Sequence, residues 1–146
     1  MEQRTKRLKL ISCTLELIEQ IEDDYPCGEH MTDFLKKLEE DAAIDGWGPW
    51  VVFQNGKAIG DIGFKGEPTP IGTVEIGYGF MTDFRNKGYA TEGVKALIEW
   101  AFQNERVEKV LAECAVDNVP SIRVLEKLGF DVFVEKDGMI YWELKG

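Results

Sequence analysis

One segment limits the folds open to this chain more than any other. A strand-like run, Val74-Glu75-Ile76-Gly77-Tyr78-Gly79-Phe80, leads through Arg85-Asn86-Lys87-Gly88-Tyr89-Ala90 into a helix. At a helix start the first backbone N–H groups have no partner within the helix, and the helix dipole favours negative charge there. Gly88 lets a phosphate approach the backbone with no Cβ in the way. Arg85 and Lys87 add positive charge in a chain whose formal net charge is -10. The segment therefore fits a small phosphorylated cofactor. It is not a Walker loop, because the Gly-Lys-Ser/Thr ending is absent. It is not a dinucleotide fingerprint, because only Gly88 of the three required glycines is present. Strand, turn and amphipathic helix is also an ordinary structural unit, so the rest of the chain must decide.

Periodicity orders that rest. Leu8 to Leu10 reads as a short strand, Thr14 to Ile21 and Met31 to Asp41 as helices with apolar stripes. Trp50 to Gln54 and Ala58 to Phe64 flank Asn55-Gly56-Lys57, a hairpin signal. After the strand from Thr73, the residues Ala90, Val94, Leu97, Ile98, Ala101 and Phe102 recur at helical spacing. Val110 to Ala115 is a strand and Pro120 to Leu128 a helix that Gly129 ends. Asp131 to Lys136 and Met139 to Leu144 form a last hairpin about Asp137-Gly138. The order is β-α-α-β-β-β-α-β-α-β-β, an α/β class. At 146 residues it has the size of one domain, 1–146, with no repeat or linker.

Composition narrows the function. No apolar run exceeds four residues, which predicts no membrane span and no signal peptide. Cys13, Cys27 and Cys114 lack metal spacing and read as reduced thiols, which predicts a cytoplasmic protein without a metal. His30, the single histidine, reads as solvated or capping. A pI near 4.6 argues against nucleic acid as a partner and is compatible with a cationic substrate.

Two motifs carry a family resemblance. Arg85-Asn86-Lys87-Gly88-Tyr89-Ala90 fits Arg/Gln-x-x-Gly-x-Gly/Ala, the cofactor loop of the GNAT superfamily of acetyl-CoA-dependent N-acetyltransferases. Asn118-Val119-Pro120-Ser121-Ile122-Arg123-Val124-Leu125-Glu126-Lys127-Leu128-Gly129-Phe130 is similar to that family's second motif. Thr5 to Leu10 resembles the start of the branch that modifies ribosomal-protein N-termini. The resemblance spans nearly the whole chain. It implies a GNAT fold: a mixed, mostly antiparallel sheet of about seven strands with helices on both faces. The strands Val74–Phe80 and Val110–Ala115 would splay to form the CoA cleft. It also implies transfer of an acetyl group from acetyl-CoA to a primary amine, on a protein N-terminus or a small molecule, by direct attack in a ternary complex. A non-catalytic acyl-CoA-binding sensor or interaction domain is the alternative, and a homodimer is left open.

Residue roles follow from the resemblance. Gly79, Phe80 and Met81 would bond the pantetheine, with a Phe80 or Met81 N–H facing the thioester oxygen. Arg85, Asn86, Lys87, Gly88, Tyr89, Ala90 and Thr91 would hold the pyrophosphate. Asn118 would contact pantetheine while also serving as a helix cap. Glu75, beside Gly77 and Gly79 on one strand face, and Glu113 on the neighbouring strand compete as the base, with a water chain as the third choice. If the two met, repulsion would raise one pKa. Many members place a tyrosine seven residues after the asparagine as the thiolate's acid. Leu125 stands there and donates nothing, so Ser121 is the candidate near the thiol, with capping as its other reading. Trp47, between two glycines, is the candidate for the substrate wall; Trp50 and Trp142 read equally as core, and Tyr141 is a further aromatic.

Overall fold

Alternation along the strands gives the sheet two apolar faces. In the computed structural model, which describes residues 1–146, the strands are β1 (Glu2–Arg4), β2 (Lys9–Ser12), β3 (Pro49–Gln54), β4 (Lys57–Phe64), β5 (Thr73–Phe80), β6 (Lys109–Ala115), β7 (Asp131–Lys136) and β8 (Met139–Lys145). The helices are α1 (Leu15–Ile21), α2 (Glu29–Glu40), α3 (Tyr89–Phe102) and α4 (Val119–Lys127), with single 3-10 turns at Ala42–Ile44 and Thr82–Phe84. On β5, Val74, Ile76 and Phe80 are buried on one face, while Glu75, Gly77 and Gly79 turn to the other. The first face packs under α3 and α4 through Val94, Leu97, Ile98, Ala101 and Leu125. The second packs under α1 and α2 through Leu17, Ile18, Ile21, Met31 and Phe34. No helix is long and apolar enough to cross a membrane.

The eight strands run in the order β1-β2-β3-β4-β5-β6-β8-β7, and only β5 and β6 are parallel. The sequence predicts about seven strands. The extra one is β1, which pairs Glu2↔Ile11, Gln3↔Leu10 and Arg4↔Lys9. Its three polar residues show no alternation, so only the partner strand reveals it. The predicted hairpins occur, with Asn55, Gly56, Asp137 and Gly138 all at positive φ. β7 forms the far edge, and every one of its residues is exposed. There Val132, Phe133 and Val134 are 52%, 51% and 40% exposed.

The site is positioned by a gap in this sheet. β5 and β6 pair only at Thr73↔Lys109, Val74↔Val110 and Glu75↔Leu111. Beyond Glu75, β5 stays with β4 as far as Phe80, and β6 stays with β8 as far as Ala115. The two strands therefore part, leaving a wedge between them.

Candidate active site

The wedge exposes backbone that lacks a partner. The Lys65 N–H bonds the Glu75 carbonyl at 2.9 Å, and the Met81 N–H bonds the Ile59 carbonyl at 2.8 Å. In an antiparallel ladder such bonded pairs alternate, so Glu75, Gly77, Gly79 and Met81 direct their amides to β4. Ile76, Tyr78 and Phe80 direct theirs toward β6; the last pair, Glu75↔Leu111, engages the Ile76 N–H, and beyond it no β6 residue pairs with Tyr78 or Phe80. The Phe80 carbonyl is taken by Arg85 Nε at 2.9 Å. The Tyr78 amide groups and the Phe80 N–H are thus the ones open to a ligand, and such groups need partners. Of the two N–H groups the sequence offers for a thioester oxygen, that of Met81 is committed to Ile59.

One cavity of about 570 Å3 runs from this wedge to the start of α3. Tyr78, Gly79, Phe80, Arg85, Asn86, Gly88, Tyr89, Ala90, Thr91, Asn118 and Ser121 all line it; Met81 and Lys87 do not. Gly88 caps α3 in the left-handed conformation at φ +82°, and Asn86 is left-handed at +60°. Left-handed residues at a helix start favour backbone concavities suited to an anion, and Asn86, Gly88, Tyr89, Ala90 and Thr91 all line the cavity here. Arg123 and Lys127 line the same cavity from α4. Arg7, on the β1–β2 turn, does not line the cavity but braces its α3 end: it stacks on Tyr89 at 4.4 Å and donates to the Lys87 carbonyl at 3.0 Å. A Cβ added at Gly88 would lie 3.2 Å from Arg7 Nη2. A bound phosphate would thus meet bare backbone and several cations. The residues present fit a phosphorylated cofactor with an amide-bearing arm.

Arg7 is itself held. Its Nε donates to Glu92 Oε1 at 2.7 Å and its backbone N–H to Glu92 Oε2 at 2.9 Å, and the Thr5 hydroxyl donates to the same carboxylate. Burial works against the Glu92 charge, but Thr5 and Arg7 outweigh it and hold the carboxyl below its ordinary value. A lowered folded-state pKa gives stability that is complete above the unfolded value, 4.5, and lost as pH falls through the folded one. Glu92→Gln is therefore expected to cost about 1–2 kcal/mol at pH 7 and almost nothing near pH 2. Thermal melts of both proteins across pH check this; a penalty that stays constant down to acid would refute it.

The second cavity, about 830 Å3, opens on the α1–α2 face and shares Tyr78 and Gly79 with the first. His30, Asp33, Lys37, Asp61, Gly63, Lys65 and Gly77 also line it. Glu75 and Glu113 stand on the same sheet face, and the structure puts a cation between them. Lys65 Nζ donates to Glu75 and lies 3.5 Å from Glu113 Oε1. Burial alone would lower the Lys65 pKa, but Glu75 first and then Glu113 raise it. Mutual repulsion of the two carboxylates is thus offset by a lysine that follows β4 directly. Neither carboxylate lines the cavity itself; Lys65 does. His30 is not a cap, since Gly28 holds that position. Its Nε2 meets Asp61 Oδ2 at 2.8 Å, and the Tyr25 hydroxyl donates to Asp61 Oδ1 at 2.6 Å. Trp47 touches this cavity but is only 5% exposed. Its ring packs on Trp100 at 4.7 Å and Phe64 at 5.5 Å, because the flanking glycines fold the loop inward over the core.

At the start of α4, Asn118 Oδ1 accepts from the Ser121 N–H at 3.3 Å, which is the predicted cap. Ser121 lines the first cavity, whereas Leu125 is 1% exposed in the core. Sequence reasoning did not single out Arg7, Lys65, Tyr78, Arg123 or Lys127. For the last two a signal existed, because Pro120, Arg123, Val124 and Lys127 recur at one-face helical spacing. For Arg7 and Lys65 the partners are distant in sequence, and no local pattern points to them.

Comparison with known proteins bears on this geometry. A family model described as an acetyltransferase (GNAT) domain matches residues 16–131. YjdG of Bacillus subtilis, named an uncharacterized N-acetyltransferase, is 36% identical over 99 residues, 66% of this chain and 59% of that protein. The chain spans about half the length of the curated relatives it matches. Among solved structures, the N-acetyltransferase PseH of Campylobacter jejuni aligns with a TM-score of 0.68 at 26% identity, covering 94% of this chain and 97% of that one. RimL, a ribosomal L7/L12 alpha-N-protein acetyltransferase solved with coenzyme A, aligns with a TM-score of 0.75 at 15% identity, covering 97% of this chain and 95% of that one, a likeness of fold.

Proposed function

The chain belongs to the GNAT acetyltransferase family, and from that premise we propose that it acts as a single domain moving an acetyl group from acetyl-CoA to a primary amine in a ternary complex. One observation carries the reading. The cofactor-side and open-side cavities share Tyr78 and Gly79 in their linings, where β5 and β6 part. An acetyl donor in the first and an amine in the second would approach each other there.

Acetyl-CoA, when bound, supplies an activated acyl carbon and a thiol leaving group. The residues divide the remaining work. Backbone N–H groups from Asn86 to Thr91, with Arg85, Arg123 and Lys127 around them, would hold phosphate, and Arg7 braces that turn from outside. The Tyr78 and Phe80 backbone groups would pair with the amide arm, and the Phe80 N–H would be the donor offered to the oxygen on which charge develops. Glu75 receives the amine proton directly or through water in the glycine-lined space beside it. Ser121, which lines the same cavity, would be the hydroxyl available to the sulfur. The acceptor is a protein N-terminus or a small amine; Asp33 and Asp61 suit a cationic one. Three free cysteines support a cytoplasmic setting.

Gly88→Ala tests the cofactor half of the reading. Alanine at φ +82° is strained, and its Cβ would crowd Arg7 Nη2 at 3.2 Å, which disturbs the turn that would receive the phosphate. Affinity for acetyl-CoA is expected to fall about tenfold with the fold intact. Calorimetry with unchanged affinity would refute the assignment. Turnover with a panel of N-terminal peptides, polyamines and aminoglycosides tests the catalytic half. A non-catalytic acyl-CoA-binding role is favoured by one feature, the burial of Leu125 where a proton donor commonly stands. CoA binding without transfer to any amine would select it.

A further inference from the structure

Two buried side-chain polar atoms have no hydrogen-bond partner, and one is the hydroxyl of Tyr78. Such groups are rare because an unpartnered buried hydroxyl is destabilising. Its position is specific. Tyr78 lines both cavities, on the stretch of β5 that has lost β6. Cys114 of β6 and Ser121 of α4 are the two groups that act on its ionisation, and Ser121 lines the same cofactor-side cavity as Tyr78. The Cys114 sulfur already accepts from Trp142 Nε1 at 3.3 Å. Ser121 therefore remains. Burial raises the Tyr78 pKa, while the Ser121 hydroxyl lies near enough to oppose that shift without forming a bond. Tyr78 thus stays a neutral O–H donor over the working pH range. Ser121 is half-buried and lines the cofactor cavity, so it stands between the buried phenol and whatever fills that cavity.

We propose that Tyr78 is a positioning residue for acyl transfer: its hydroxyl, unpartnered in this structure, donates to Ser121 Oγ once the cofactor cavity is filled, and the Ser121 hydroxyl donates in turn to the departing sulfur. This rests on the acetyltransferase reading above. When the amine nitrogen bonds the acetyl carbon, the C–S bond breaks and its electron pair goes to sulfur. The amine proton leaves toward Glu75. Sulfur departs as thiolate, and both hydroxyls keep their protons. The two-hydroxyl chain does from β5 what Leu125, sealed in the core, does not do from α4.

Tyr78→Phe removes one oxygen and nothing else. The first measurement needs no acceptor: the thiol of CoA bound to the protein is titrated by thiolate ultraviolet absorbance. At a given pH below the titration midpoint, its thiolate fraction is expected to be about tenfold smaller in Tyr78→Phe and in Ser121→Ala. In the double variant it falls no further, because the two act as one unit. Turnover should drop about fivefold to tenfold in each single variant, with KM for acetyl-CoA unchanged. The Tm of Tyr78→Phe should hold or rise, since it loses an unpartnered group. An unshifted thiol titration with normal CoA binding overturns this proposal alone, as do single-variant effects that multiply in the double variant or a falling Tm. Failure of the wild-type protein to bind CoA overturns the acetyltransferase reading and this proposal with it.

Discussion

Replacing Glu75 by glutamine is expected to cut kcat for amine acetylation about a hundredfold at neutral pH, the scale of a lost general base. Amines are mostly protonated at that pH, so attack requires a proton acceptor. Glu75 shares its face with Gly77 and Gly79, which line the second cavity and leave room for a water. Its ion pair with Lys65 fixes the carboxylate beside that space. The affinity for acetyl-CoA should not change, and the acid limb of the pH–rate profile should flatten. Glu113→Gln should do less, since Glu113 lies farther from Lys65 and is more exposed than Glu75. A larger loss in Glu113→Gln at equal stability would exchange the two roles. Full rates and an unchanged profile in both would mean that the amine arrives deprotonated. Lys65→Met supplies a control: if it matches Glu75→Gln, the carboxylate serves the lysine rather than the amine.

The second large effect is on stability. Trp50 is fully buried and packs edge-on against Trp100 at 5.3 Å, and its Nε1 donates to the Gly46 carbonyl at 2.8 Å. Truncation opens a large void and leaves that carbonyl unpaired. Trp50→Ala is expected to cost about 3–5 kcal/mol, lowering Tm by roughly 10 °C or more. Trp50→Phe should cost less, because the void is small and chiefly the hydrogen bond is lost. Denaturant titration distinguishes them. A loss below about 1 kcal/mol for Trp50→Ala would mean that the surrounding rings collapse into the space.

Much of this architecture was legible because its signals are local. Asn55-Gly56 and Asp137-Gly138 announce their hairpins by demanding positive φ. The order of the remaining strands and helices followed from alternation and helical spacing, and Asn118 caps α4 as its residue type predicts. The turn that opens α3 was legible for the same reason, since its glycine and cations are adjacent in the chain. What escaped is non-local. Arg7 meets Glu92 across 85 residues of sequence. Lys65 becomes the centre of two carboxylates only when β4, β5 and β6 align. Trp47 carries the flanking glycines of a surface loop yet packs inward, because Trp100 and Phe64 offer it more apolar contact than solvent does. The Tyr78 hydroxyl read as one more alternating strand residue, and only the missing partner in three dimensions sets it apart.

The two ends of the sheet are unequal, and that inequality limits how copies of the chain can join. β1 is three residues long and polar, a poor template for another strand. β7 is longer, open along its outer side and studded with Val132, Phe133 and Val134. Growth by strand addition therefore has a single productive edge. Two copies meeting β7 to β7 would consume both edges and close on themselves about a two-fold axis. A head-to-tail fibre would need a second receptive edge at the other end, and this sheet does not provide one.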